Sequence, residues 1–246
     1  MPIRRLLALL LAGLLTVAAT ATPAAAALPL SGVIIALDPG HDGGNASHPV
    51  QINRLVWYGT GWKPCDTVGT TTLDGYAEHR FNLQVALRVK ARLVALGATV
   101  YMTRSTDTGV GPCVDYRGRF GQRVHAVLKV SVHADGSART DRGFVVLRPA
   151  YIRGFTDDIY SRSYALAKAM RTGMLRAGLP IANYYAINGI RTRSDFANFN
   201  LANVPSILVE TGNMKNASDA RRMKSSAGRD RYAAGLVIGI RLYLGR

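Results

Sequence analysis

Along this chain, short apolar runs that stop at a polar or glycine-bearing cluster alternate with longer segments whose apolar residues recur at helical spacing. No other feature restricts the fold as much. Residues 33–37 close on Asp38, Pro39 and Gly40, 126–132 close on His133, and 207–209 close on Glu210. Runs this short, bounded this way, read as buried strands. Between the first two, Phe81, Val85, Val89 and Leu93 recur at every fourth position, with Leu83 and Leu87 alongside, until Gly97 stops the pattern. That spacing predicts a helix with Glu78 in its first turn, and 98–104 then follows as a strand. Strand, helix and strand in this order predict a right-handed parallel crossover. Residues 143–147 add a strand, 157–177 a helix ended by Gly178 and Pro180, and 217–244 one or two terminal helices broken near Gly228. The expected fold class is α/β, a single domain whose mostly parallel twisted sheet carries helices on both faces.

Residues 1–27 stand apart from this pattern. Arg4 and Arg5 precede an apolar run over 6–19, and small residues fill 20–27. This is the arrangement of a secretory signal, with cleavage expected before Leu28, and the run is shorter than the roughly 18 residues a membrane span needs. No cysteine stands near the junction to take a lipid anchor. Residues 28–246 are expected to form one exported, soluble, monomeric domain without a transmembrane segment, in the periplasm, the cell wall or the medium. The two cysteines, Cys65 and Cys113, both fall in this part between loop residues, and an oxidising compartment predicts one disulfide between them. The formal charge of +16 falls to +14 once Arg4 and Arg5 leave with the signal. Such an excess favours a polyanion. Export, and scattered basic residues without an RNP, zinc-finger or helix-turn-helix pattern, argue against nucleic acid and for an anionic cell envelope. A generally basic solubilising surface is the plainer alternative.

His41, His133 and Glu210 are all expected at the carboxyl ends of strands, where open parallel sheets bind ligands. Two histidines, a carboxylate and a second free carboxylate are what a catalytic zinc hydrolase needs: three protein ligands, an open position and a proton shuttle. His41, Glu78 and His133 are the candidate ligands, and Glu210 the candidate shuttle. Taken singly, each has a plainer account. Glu78 suits a helix N-terminus, and the loop after the first strand lacks the spacing of a phosphate cradle. Glu210, however, ends an apolar run, where a lone acid is costly unless paired or functional. His48, His79 and His125 are poorer candidates by position. Ser131 shares a strand face with His133, but no Gly-x-Ser-x-Gly elbow surrounds any serine, which disfavours a serine hydrolase. The connection 42–77 is long, polar and glycine-rich, and carries Trp57, Tyr58, Trp62 and Cys65. A Cys65–Cys113 pair would clamp it beside the site, where either tryptophan would stack on a sugar ring or peptide, or else form a small satellite core.

In order, Asp38-Pro39-Gly40-His41, a helix opening with Glu78, Ser131-Val132-His133-Ala134-Asp135, and Leu208-Val209-Glu210-Thr211-Gly212 followed by Asn216 resemble the zinc-dependent N-acetylmuramoyl-L-alanine amidases of the Amidase_3 type. The resemblance spans nearly all of 33–244 and takes in 100–104 with Asp107, and Arg123. It implies hydrolysis of the amide between N-acetylmuramic acid and the L-Ala of the stem peptide in peptidoglycan or muropeptides. It also implies one Zn2+ per chain on His41, Glu78 and His133, with Glu210 as the catalytic acid. Arg139, Arg142, Arg191 and Arg193 are alternatives for neutralising stem-peptide carboxylates. Two departures stand out. His41-Asp42-Gly43-Gly44-Asn45 replaces the family's usual His-Gly-Gly and later Asp, so the motif does not give the groups that support His41. Asn213 stands where a hydrophobic residue is common, which implies an altered substrate face. A zinc peptidase or deacetylase acting on another wall bond would release different termini, and a non-catalytic wall-binding or regulatory module would show no chelator-sensitive hydrolysis.

Overall fold

Burial on both faces explains why the strand segments read as unbroken apolar runs: Ile35, Leu37, Leu128, Val130, Val132, Ile207 and Val209 are all inaccessible to solvent. The computed structural model describes residues 27–186 and 188–246, so the expected signal lies, apart from Ala27, outside the described residues. In chain order the elements are β1 (Ile34–Pro39), α1 (Pro49–Asn53), β2 (Leu55–Trp57), β3 (Trp62–Pro64), α2 (Glu78–Ala95), β4 (Thr99–Met102), α3 (Val114–Arg123), β5 (Leu128–Asp135), β6 (Val145–Pro149), α4 (Tyr160–Arg176), β7 (Ile190–Arg193), α5 (Ala197–Asn200), β8 (Ser206–Asn213), α6 (Ala217–Lys224) and α7 (Ser226–Leu244). Six strands form one sheet in the order β4-β1-β5-β8-β6-β7. β4, β1, β5 and β8 run parallel, β6 is antiparallel to β8, and β7 is parallel to β6. The mostly parallel α/β fold expected from the alternation is therefore present, with a reversed pair of strands at one edge.

Helices cover both faces. α2, α4 and α7 bury Phe81, Val85, Val89, Leu166, Met170, Tyr232, Leu236 and Ile240 against one face. Gly173 lets α4 and α7 cross closely, since a Cβ there would stand 2.3 Å from the backbone N of Gly239. α3 and α5 cover the other face through Phe120 and Phe199. The terminal segment is two helices, and the break near Gly228 falls at Ser225: Ser225 is extended (ψ 145°), ends α6, and caps α7 by accepting from Gly228 N at 3.0 Å. Gly228 itself occupies the first turn of α7, where a Cβ would press on Arg222 O at 1.8 Å. α4 begins at Tyr160 and not at residue 157, because the preceding turn is held by Thr156, whose hydroxyl donates to Ala150 O at 2.6 Å.

The connection 42–77 has structure of its own: α1, a two-stranded β2–β3 hairpin, and a disulfide from Cys65 to Cys113. Trp57 and Trp62 pack edge to face at 5.7 Å but are 39% and 65% exposed. They do not form a satellite core; Ile52, Val56 and Cys65 are the buried apolar residues there. The disulfide spans 48 positions, for which the chain-entropy model gives roughly 4 kcal/mol. Reduction is expected to lower the melting temperature of the metal-loaded protein by about 8–16 °C, at roughly 2–4 °C per kcal/mol for a domain of this size. A thermal melt with and without reductant checks this.

Candidate active site

β1, β5 and β8 are adjacent and parallel, so their carboxyl ends deliver side chains to one cleft: Pro39 stands opposite Val132, and His133 opposite Glu210. The turn leaving β1 is tight. Gly40 is required there because a Cβ would lie 2.0 Å from Cε1 of His133, and His41 adopts a left-handed backbone (φ 59°). A non-glycine residue held in that region is strained, and such strain persists only where the surroundings fix it. Buried Arg104 does the fixing, donating to Pro39 O and Gly40 O at 3.0 Å each and to His79 O at 2.7 Å, which ties the turn to the start of α2.

Glu78 opens α2 and is held from several sides. Its Oε2 accepts from Thr70 N at 2.9 Å, and its Oε1 from Ala134 N and Asn82 Nδ2 at 3.2 Å each. His41 Nε2 stands 3.3 Å from Oε2, and His133 Nδ1 stands 3.0 Å from Oε1. One ligand atom from each of His41, Glu78 and His133 lies within 4.8 Å of the others, close enough to share one metal ion. The donor set, two imidazole nitrogens and a carboxylate oxygen facing a cleft of about 320 Å³, fits a divalent metal with an open coordination position.

The charges around this triplet are arranged to keep it in place. Burial opposes a charged carboxylate at Glu78, but the two imidazoles outweigh it and hold Glu78 well below the usual carboxylate range. Burial likewise opposes a charged imidazole at His41, yet Glu78 and Asp66 hold it up at about 10. A metal would therefore have to displace a proton from His41. Glu210 goes the other way: burial first, then the Glu78 and Asp135 carboxylates, push its carboxyl well above the usual range. Its Oε2 is buried without a hydrogen-bond partner among the described residues, at the wall of the same cleft. The four residues singled out in the sequence are thus brought together.

The Amidase_3 family, N-acetylmuramoyl-L-alanine amidase, matches residues 35–241. The chain belongs to this family. An N-acetylmuramoyl-L-alanine amidase of Mycobacterium tuberculosis is 41% identical over 228 residues, which cover 92% of this chain and 90% of that protein. The crystal structure of an N-acetylmuramyl-L-alanine amidase from Mycobacterium smegmatis superposes with a TM-score of 0.83 at 44% identity, covering 88% of this chain and 98% of that one. The apo form of the corresponding Mycobacterium abscessus amidase gives 0.82 at 40%, covering 87% and 100%.

In this Amidase_3 chain the group that supports His41 comes from the insert. Asp66 Oδ1 stands 3.2 Å from His41 Nδ1, and Thr67 O 3.0 Å from the same nitrogen, which turns Nε2 toward Glu78. Asp66 is held in turn by the buried Arg117, whose Nη2 donates to Asp66 Oδ2 at 3.2 Å and to His41 O at 3.1 Å while Nη1 donates to Asp38 at 2.7 Å. The disulfide fixes both ends of this arrangement, since Cys65 precedes Asp66 and Cys113 caps α3, which carries Arg117. Nothing in the local sequence marks Asp66; only its place beside Cys65 is suggestive. Asp66→Ala is expected to weaken metal binding by about 10–100-fold, the usual effect of losing a partner that orients a ligand. Chelator competition measures it, and unchanged affinity would remove Asp66 from this role.

Several other expectations resolve here. Ser131 is buried and donates to Asp38 at 2.8 Å, joining a network with Asn198 and Arg117 rather than serving as a nucleophile. In that network Lys129 donates to three backbone carbonyls, and burial pulls its ammonium down to about 8. His79 points away from the triplet to Asp107, at 2.8 Å. Asn213 does not face the cleft: it is buried, and its amide donates to Ala138 O and Asp141 O at 2.7 and 2.8 Å, stitching down the loop after β5.

Proposed function

We propose that this chain is an exported, monomeric, zinc-dependent peptidoglycan amidase that hydrolyses the bond between N-acetylmuramic acid and the L-Ala of the stem peptide. The observation that carries the reading is the convergence of His41, Glu78 and His133 beside the unpartnered carboxyl of Glu210, in a chain of the Amidase_3 family. His41, Glu78 and His133 would hold the zinc, whose Lewis acidity polarises the scissile carbonyl and lowers the pKa of water to about 7. An amide is a poor electrophile with a poor leaving group, so a proton must also be moved. Glu210 accepts it from the attacking water as the water oxygen bonds to the carbonyl carbon, then returns it to the amine nitrogen as the C–N bond breaks. Burial, then the Glu78 and Asp135 carboxylates, raise the proton affinity of its carboxyl, which favours the first half, taking the proton from water.

Mass spectrometry of digested peptidoglycan, with metal analysis of the same sample, tests the reading. It predicts new L-Ala amino termini and muramic acid carboxylates, and about one zinc per chain. New termini elsewhere in the stem, or loss of acetyl groups, would replace it with a peptidase or a deacetylase.

Residues 1–27 are proposed to direct export, and the charge remaining on 28–246 to draw the domain to the anionic envelope. Retention on isolated wall material is expected to fall between low salt and 1 M salt, where the Debye length is roughly 3 Å. Retention that ignores salt would rule out charge as the anchor.

A further inference from the structure

A second cavity of about 830 Å³ wraps round the free edge of the sheet at β7. Its cations come from three elements: Arg148 on β6, Lys168 and Arg171 on α4, and Arg191 on β7. On α4, Tyr164, Lys168, Arg171 and Thr172 follow the spacing of one helix face, so the groove is lined deliberately along its length. None of its lining residues is acidic, and none of its four cations makes a salt bridge among the described residues. The cations lean instead on aromatic faces and carbonyls. Arg148 lies over Tyr164 at 4.3 Å and Arg191 over Tyr185 at 4.4 Å, while Arg171 donates to Asn188 O at 2.6 Å. Arg148 Nε is buried with no hydrogen-bond partner among the described residues. Four positive charges kept together without a counter-charge repel one another, and the same field concentrates anions.

Tyr185 joins this groove to the cleft. It lines the groove with its backbone held at φ 23°, and its ring packs at 4.8 Å against Tyr184, whose hydroxyl donates to Asp135 Oδ2 at 3.0 Å in the wall of the cleft. Glu210 is close enough to push the Tyr185 phenol up, after burial. An anion in the groove is therefore placed to belong to a molecule whose other end is at Glu210.

We propose that the β7-edge groove is a carboxylate-binding subsite for the stem peptide beyond the scissile amide, with Lys168, Arg171 and Arg191 pairing with its free acids. The inference rests on the amidase reading and names which substrates that site selects: stem peptides with free carboxylates over those whose carboxylates are amidated. Arg and Lys pair with carboxylates by charge-assisted hydrogen bonds, which an uncharged amide makes far less strongly.

The test is steady-state kinetics of the zinc-loaded protein on two muramoyl peptides that differ only in free against amidated side-chain and terminal carboxylates. The wild type is expected to show a lower KM for the acid, and K168Q/R171Q to raise that KM about tenfold or more with kcat and the amidated substrate unaffected. Both substituted residues lie on the surface of α4, and R191Q on β7 is a second, independent variant should the first lose thermal stability. Equal KM for the two peptides in the wild type, or an unchanged KM in both variants, overturns the proposal. So does loss of retention on a phosphate polymer with KM unchanged, which would assign the groove to a wall polyanion. Cleavage of neither peptide by the wild type would defeat the amidase reading instead. Calorimetric binding of the same two peptides then still decides the groove, a preference for the acid that K168Q/R171Q abolishes supporting it and equal binding overturning it.

Discussion

Replacing His133 by alanine is expected to remove the metal and reduce hydrolysis to background while leaving the fold intact. A site with three protein ligands cannot lose one and hold its ion. Metal polarisation supplies several kcal/mol of transition-state stabilisation, and each 1.36 kcal/mol is tenfold, so the fall should be on the order of 10³-fold or more. The fold should survive because His133 is the first residue of β5 to face the cleft, whereas Leu128, Val130 and Val132 keep their burial in the core. Glu78 also retains the Ala134 and Asn82 hydrogen bonds when its imidazole partner goes. Zinc per chain, amine release and the melting curve should be read on the same sample. Chelation of the wild type should reproduce the loss and added zinc reverse it, whereas zinc should not rescue the variant. A His133→Ala protein that still carries a full zinc would mean that His133 is not a ligand.

The parts of this site that could be read in the sequence are those fixed by hydrophobic burial. β1, β5 and β8 are covered on both faces, so each shows as an apolar run, and the residue at which the run stops is the one delivered to the cleft. α2 was legible for a related reason: Phe81, Val85, Val89 and Leu93 all face the core, at a spacing that fits one helix face and over a length greater than an ordinary strand.

α3 carried no such signal. Its buried residues are Arg117, Gly118, Phe120 and Gly121, of which only Phe120 is a large hydrophobe. The glycines are buried because backbones approach there, Gly118 against Ala197 O, where a Cβ would stand at 2.4 Å. Arg117 is buried because Asp38 and Asp66 neutralise it. Charge pairing between residues far apart in the chain has no periodicity, and so Asp38, Asp66, Arg117 and Lys129 could not be assembled from sequence. β7 was hidden for another reason: as an edge strand with Arg191 and Arg193 it keeps polar side chains that a central strand would not.

Glu210→Gln separates the movement of a proton from the holding of a metal. Glutamine keeps the size of the side chain and its place at the end of β8, but it cannot take a proton from water. If Glu210 is the shuttle, the variant should bind zinc with near-native affinity while turnover falls by roughly 10²–10⁴, the range general acid–base catalysis supplies. The loss should appear in kcat more than in KM, because the missing interaction acts in the transition state. The charge arrangement adds a second expectation for the metal. Burial, then the Glu78 and Asp135 carboxylates, hold Glu210 toward its neutral form, so exchanging it for a neutral amide changes the charge around the zinc site little and should not weaken it. Zinc content by mass spectrometry and single-turnover hydrolysis decide the matter. Loss of zinc would make Glu210 a ligand and leave Glu78 as a helix-terminal carboxylate; unchanged turnover would assign the proton to another group.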